Sequence, residues 1–400
     1  MRKFLLIICS CLALFGCGAT KNAGGRSDGP RQFHDISLVG YWHREPHVWD
    51  AARFAPHVSW KAPNGKEQWL FEGFLFLEGS DWMHGRTFVL GPGVSAAKEQ
   101  WQYQLELWLG ADGCVANLEK ACADVASRIG KPASKRGVII GIPDAIMFET
   151  FSNKSSSTTY WGALEGRQMD FSTVEDRMAA LRWYINSARE MFKAIKPKYL
   201  ELAGFYITSE ELYLPWDIDV NCKYKNWDVI APELASYCHS SGQGLYWIPY
   251  HMGPGHKYWK QLGIDQVWMQ PNWYWDLKNE GRHPFSKTMA AIKEYGMGME
   301  LEFEYSGVAD QMKAGVKGPD GDGRLIFDAS DVPALQDRIR HYMKEYKDAG
   351  LYGTGAIALY SGSNALTQLA ESPLPQDRTL YDELCEFVIG NREMQSVDYK

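Results

Sequence analysis

Residues 298–305 read Gly298-Met299-Glu300-Leu301-Glu302-Phe303-Glu304-Tyr305. Successive side chains of a strand point to opposite faces. Glu300, Glu302 and Glu304 therefore share one face, and Leu301, Phe303 and Tyr305 share the other. An edge strand with one face in water would accommodate this pattern. So would a barrel strand whose apolar face packs on helices while its carboxylates line a polar interior.

The surrounding sequence favours the barrel. Ile36–Trp42, Trp69–Leu77, Gly137–Ile142, Tyr199–Thr208, Gly244–Tyr250, Gln266–Gln270 and Gly355–Tyr360 also read as strands. Most are short and apolar throughout, as in parallel strands buried on both faces. Helical patterns separate them: a short one at Val48–Val58, a long region at Ala96–Gly130, then Val174–Lys196, Asp228–Ser240, Pro284–Tyr295 and Val332–Gly350, with Leu380–Ile389 closing the chain. Eight strand–helix units in one domain predict an α/β fold, a single (β/α)8 TIM-type barrel of parallel strands over residues 35–400. A doubly wound open sheet is the competing architecture. It announces itself with a glycine-rich phosphate loop after the first strand, and the sequence has none there.

In such a barrel the site forms at the C-terminal ends of the strands. His43 and Arg44 follow the first strand, Glu78 and Trp82 the second, and Asp144 the third. Ser209-Glu210-Glu211 follows the fourth, His251 the fifth, and Asn272-Trp273-Tyr274-Trp275 the sixth. Tyr360 ends the eighth. Inward carboxylates on the seventh strand need cationic or hydrogen-bonding partners, or raised pKa values. Arg44, His43 and His251 are candidate partners, and a purely structural ion-pair network is the alternative reading.

Two carboxylates flanking one bond are what glycoside hydrolysis requires. On the fourth strand Tyr206, Thr208 and Glu210 share a face, which favours Glu210 over Glu211 as acid/base. On the seventh, Glu302 is the candidate nucleophile, with Glu300 below it and Glu304 above. Trp42, Trp82, Trp273 and Trp275 would stack on sugar rings, and His251 and Asn272 would bind hydroxyls. His43, Arg44, Glu78, Asp144, Tyr206 and Tyr360 complete the expected substrate-binding set. A carbohydrate is therefore the expected partner. The alternative is a glycan-binding barrel without catalysis.

This pairing of a carboxylate after strand four with a glutamate on strand seven resembles a large clan of retaining barrel glycosidases. One departure is Ser209, where the clan has Asn before its strand-four Glu. A closer resemblance rests on GYWHREPHVWDAARFAPHVSW (40–60), GKEQWLFEGFLFLEG (65–79), GFYITSEE (204–211) and GMELEFE (298–304). These segments resemble a domain-of-unknown-function family of bacterial lipoproteins found with polysaccharide-degradation systems. The resemblance implies a barrel and an association with glycans.

The N-terminus fits an exported protein. Met1-Arg2-Lys3 is basic, Phe4–Phe15 is apolar and too short to span a bilayer, and Gly16-Cys17 follows. Residues 1–17 read as a lipoprotein signal with lipid on Cys17, and 18–34 as a flexible tether. The expected location is the cell envelope, at the outer membrane or cell surface. A net charge of −7 argues against nucleic-acid partners. No CxxC, HxH or HExxH pattern occurs, so no metal and no cofactor is expected. Asp217-x-Asp219-x-Asn221 has calcium-loop spacing, but Cys222 stands where that loop needs Gly. The absence of GxSxG disfavours a serine esterase. A monomer is expected.

Overall fold

The computed structural model describes residues 29–40, 48–81, 83–217, 226–279, 281–313, 316, 318–319, 326–362 and 364–397. Its centre is a closed barrel of eight parallel strands: β1 (Asp35–Val39), β2 (Gly73–Phe76), β3 (Arg136–Ile142), β4 (Leu200–Ile207), β5 (Gly244–Trp247), β6 (Gln266–Met269), β7 (Gly298–Glu302) and β8 (Ile357–Tyr360). They neighbour one another in chain order, and β8 returns to β1, so Ile36 pairs with both Gly73 and Ala358. The helices are α1 (Ala51–Val58), α2 (Lys98–Leu109), α3 (Cys114–Ile129), α4 (Val174–Ile195), α5 (Trp227–His239), α6 (Phe285–Tyr295), α7 (Val332–Asp348), α8 (Ala365–Glu371) and α9 (Pro375–Val397). The (β/α)8 expectation holds, and each of the eight expected strands is present.

Boundaries differ for physical reasons. The expected second strand starts late, because Glu67–Trp69 pairs instead with Ser59–Lys61 in a hairpin. The expected long helix over 96–130 is two helices, α2 and α3. Gly110 caps the first in an extended conformation, and a Cβ at Gly113 would lie 2.8 Å from the Leu107 carbonyl. The turn between them thus needs a residue without a side chain.

Two apolar layers follow from the strand alternation. Met299, Leu301 and Phe303 belong to the outer layer between strands and helices, as the opening stretch predicts. Inside the barrel lie Phe33, Ile36, Leu38, Leu75, Ile139, Tyr206, Tyr246 and Trp268. On β4 the pairing register shifts between Leu202 and Gly204. This bulge changes the phase of the strand. Ala203 faces the interior, Phe205 faces the helices, and Tyr206 faces the interior again. A bulge re-aims the side chains beyond it, and here it turns the face of Tyr206 toward the barrel axis. Gly204 is required at the bend, since a Cβ there would meet the Gly244 carbonyl oxygen at 2.1 Å.

The floor of the barrel is closed by the chain just before β1. Phe33 is 2% exposed, and a Cβ on Gly73 or Gly137 would approach its ring to 2.7 or 2.5 Å. Arg31 donates to Glu201 at 2.8 Å and to the Lys135 carbonyl at 2.6 Å. The last residues assigned to the tether are therefore part of the fold. The Phe33→Ala protein should lose about 3–5 kcal/mol, because the large ring fills space the surrounding glycines cannot refill. Urea unfolding would show the lowered midpoint, and an unchanged midpoint would remove Phe33 from the core.

Among the described residues Cys114, Cys122, Cys238 and Cys385 are free and buried. No described helix is long and apolar enough to cross a membrane.

Candidate active site

The C-terminal ends of β4, β5, β6, β7 and β8 bring a group of carboxyls and hydroxyls together. Glu300 and Glu302 sit on β7, and both are fully buried. Glu302 accepts two hydrogen bonds through one oxygen, from the Asn272 backbone N–H at 2.7 Å and the Tyr342 hydroxyl at 2.7 Å. Its other oxygen makes no hydrogen bond, and neither oxygen of Glu300 makes a well-formed one, although the Gln270 side chain approaches closely enough to oppose the rise in its pKa. Glu210 lies beyond the end of β4, exposed to a cleft, with Gln270 Nε2 3.4 Å from its carboxyl.

No described Lys or Arg forms a salt bridge with Glu210, Glu300 or Glu302. The carboxyls respond as uncompensated buried acids do. Burial pushes Glu302 up to about 8, opposed by the Tyr342 and Asn272 hydrogen bonds and reinforced by Glu210. Burial raises Glu300 well above the ordinary carboxyl range, with Glu302 and Glu210 adding to it. The protein packed around Glu210 raises it to about 7 even though its side chain reaches the cleft. The group thus holds protons at neutral pH, and two of its members titrate within reach of it.

Glu210 lines a cleft of about 440 Å³ together with Tyr206, Thr208, Ser209, Glu211 and Tyr250. Leu77, Val89, Leu90, Phe151 and Tyr213 supply its apolar walls. Glu211, the alternative on the fourth strand, accepts from the Tyr213 hydroxyl at 2.6 Å. Tyr206 is buried and Tyr360 half-buried against the carboxyls, which add to desolvation in pushing both phenols well above their usual range. Glu304 lies beyond the end of β7, where the Tyr360 hydroxyl comes within 3.5 Å.

Other expected residues are placed differently. His251, expected to partner the glutamates, has its Nδ1 2.9 Å from the Thr288 hydroxyl on α6 and its ring against His283. Burial lowers it to about 4, so it is neutral and cannot balance the carboxyls. Trp273 packs under the Arg338 guanidinium, 3.9 Å from its ring centre, and against Phe285 and Tyr342. Trp275 meets Tyr360 edge-on at 6.0 Å. Glu78 folds back onto its own turn, accepting from the Gly79 and Ser80 amides. Asp144 accepts from the Leu90 amide at 2.9 Å. Asn272 serves Glu302 through its main chain. Trp42, His43, Arg44, Trp82 and Cys17 lie outside the described residues, as do Asp219 and Asn221. Among the described residues no cluster could hold a metal ion.

Three contributors are absent from the sequence reading. Gln270 was legible, since it shares the inward face of β6 with Gln266 and Trp268. Tyr250 could be found only by giving weight to the residue before His251. Tyr342 had no signal, because on α7 it occupies an ordinary core position of an amphipathic helix.

The fold and this rim define a (β/α)8 barrel with a buried carboxyl group at its C-terminal mouth. The chain belongs to the family described as Domain of unknown function (DUF4855), whose model matches residues 35–317. No curated protein matches the chain. Among solved structures it is similar to the Group II chitinase catalytic domain 2 of Ostrinia furnacalis, with 11% identity over 90% of this chain and 97% of that one and a TM-score of 0.44. It is also similar to a candidate alpha-L-fucosidase from Bacteroides thetaiotaomicron, with 14% identity, coverage of 93% and 100%, and a TM-score of 0.42. A GH18 chitinase from Flavobacterium johnsoniae gives 10% identity, coverage of 88% and 93%, and a TM-score of 0.39.

Proposed function

We propose that the protein is an exported, lipid-anchored glycoside hydrolase that cleaves a poly- or oligosaccharide by two-carboxylate chemistry. The observation that carries this reading is the grouping of Glu210 and Glu302 at the barrel mouth without a compensating cation among the described residues. Isolated structural carboxyls are paired or replaced, because burying them alone is costly. Glu210 lines the cleft, and Glu302 is buried behind it within electrostatic reach; groups whose pKa values are driven toward neutrality beside a cleft are suited to donating and accepting protons.

Hydrogen bonding distinguishes the two carboxyls. Glu302 has two short donors aimed at one oxygen, an arrangement that favours the carboxylate and orients its free oxygen. Glu210 has one long contact and faces the cleft, where a leaving oxygen would take its proton. Glu302 is therefore assigned the anomeric carbon, which it attacks as the carboxylate, and Glu210 the leaving group, so the reactive state is the one in which the proton shared by the two sits on Glu210. Glu300 lies beneath them, its pKa raised chiefly by burial, with only the Gln270 side chain opposing the shift. The apolar and tyrosyl walls of the cleft suit the faces of sugar rings.

The test is a screen of a soluble form beginning at residue 29 against bacterial and plant polysaccharides, with released sugars quantified. Release identifies a hydrolase, and the anomer first formed, read by NMR, distinguishes retention from inversion. Binding of one glycan without release would replace this reading with that of a binding protein.

A further inference from the structure

Beside the carboxyls runs a directed hydrogen-bond chain that two-carboxylate chemistry does not itself require. Asp276 is 2% exposed and accepts from the His283 backbone N–H at 2.8 Å, while His283 Nδ1 lies 3.0 Å from the same carboxylate oxygen. A carboxylate only accepts, so Nδ1 carries a proton, and in the tautomer protonated there alone Nε2 is left as an acceptor. The Tyr250 hydroxyl donates to Nε2 at 2.8 Å. The Tyr250 oxygen in turn accepts from Asn272 Nδ2 at 2.8 Å. The Asn272 backbone N–H then donates to Glu302 at 2.7 Å.

Asn272 has φ of +52°. That conformation is unfavourable for a residue with a Cβ, and it persists where surrounding contacts over-determine it. The grip of Tyr250 on the Asn272 side chain is one such contact.

We propose that Asp276, His283 and Tyr250 are positioning residues that hold Asn272 in its left-handed conformation and aim its N–H at Glu302. The relay begins at a buried acid within the β6–α6 loop, passes through Tyr250, which lines the cleft with Glu210, and ends at Glu302. The catalytic consequence rests on the hydrolase reading of Glu302. The relay itself does not.

The readout is the ionisation of Glu302, followed by isotope-edited infrared spectroscopy of protein carrying ¹³C-carboxyl glutamate. Subtraction of the Glu302→Gln spectrum isolates its signal. The groups facing Glu302 are Tyr342 from α7, Glu210 beyond β4, Glu300 on β7, Tyr360 on β8 and the Asn272 and Trp273 amides. Tyr250→Phe alters none of them directly. It should move the Glu302 midpoint upward by about one pH unit, because a misaimed amide stabilises the carboxylate less. Asp276→Asn should move it in the same direction, and the double variant no further than the larger single effect. Should Asp276→Asn fail to fold, Tyr250→Phe alone decides, since it removes one oxygen from a residue at the cleft. An unchanged midpoint in folded Tyr250→Phe protein would overturn the relay. A shifted midpoint in the variant, with a parent protein that releases no sugar, would retain the relay and reject the hydrolase. Sugar release with no shift would do the reverse.

Discussion

The Glu302→Gln protein should release sugar at least about 10³-fold more slowly than the parent, and yet melt at a higher temperature at pH 8. The two effects have one cause. Glu302 is fully buried, and its pKa is raised to about 8 from an ordinary value of 4.5. Below 4.5 the carboxyl is protonated in both folded and unfolded chains, so it costs nothing. As the pH rises above that, the unfolded chain releases the proton while the folded chain retains it. Native stability therefore falls through this window until Glu302 ionises near 8. Glutamine carries no such proton and can still accept from Asn272 and Tyr342. The gain should be on the order of 1 kcal/mol or more at pH 8 and vanish near pH 4. Calorimetry at the two pH values, together with sugar release, checks both halves. Loss of turnover with loss of stability at pH 8 would mean that Glu302 is structural.

Arg392→Met should be strongly destabilising. Arg392 extends from α9 to the barrel floor, donating to Asp35 at 2.8 Å and to the Leu70 and Trp69 carbonyls at 2.6 and 3.0 Å. Asp35 is fully buried, and burial raises it to about 6 despite the opposing pull of Arg392. Removing the cation leaves an unpaired charge in the interior, which costs about 3–5 kcal/mol. The loss should lessen as the pH falls toward 6, because without the opposing pull of Arg392 the Asp35 carboxyl takes up a proton above that pH and then needs no partner. Adding Asp35→Asn should recover part of the loss at pH 7. Denaturant midpoints of the single and double variants measure this, and additive losses would exclude the pairing.

The fold was legible because barrel strands buried on both faces leave a simple mark: eight short apolar runs between amphipathic helices. The opening stretch read correctly since its outer residues, Leu301 and Phe303, need helices to pack on. The site was only partly legible. Strand ends announce residues such as Glu210 and Glu302, but a sequence does not say where a side chain turns once the strand is over. His251 and Trp273 lie at the expected rim positions, yet His251 pairs with Thr288 and Trp273 packs beneath Arg338. The β4 bulge was invisible as well, because an extra residue in a strand leaves no composition signal beyond Gly204 itself. Tyr342 reaches Glu302 from a helix, across a boundary that reading one strand at a time does not cross.

Phe33 stoppers the barrel at the end opposite the carboxyls, and this fixes an orientation. The chain enters from below, so a lipid on Cys17 would pull on the floor and leave the mouth pointing outward. The 14 residues from Cys17 to Arg31 reach at most about 50 Å at full extension. With the anchor proposed, the protein would browse like a lamp on a short cord, its opening presented to polymers in the medium while its base stays within that radius of the membrane.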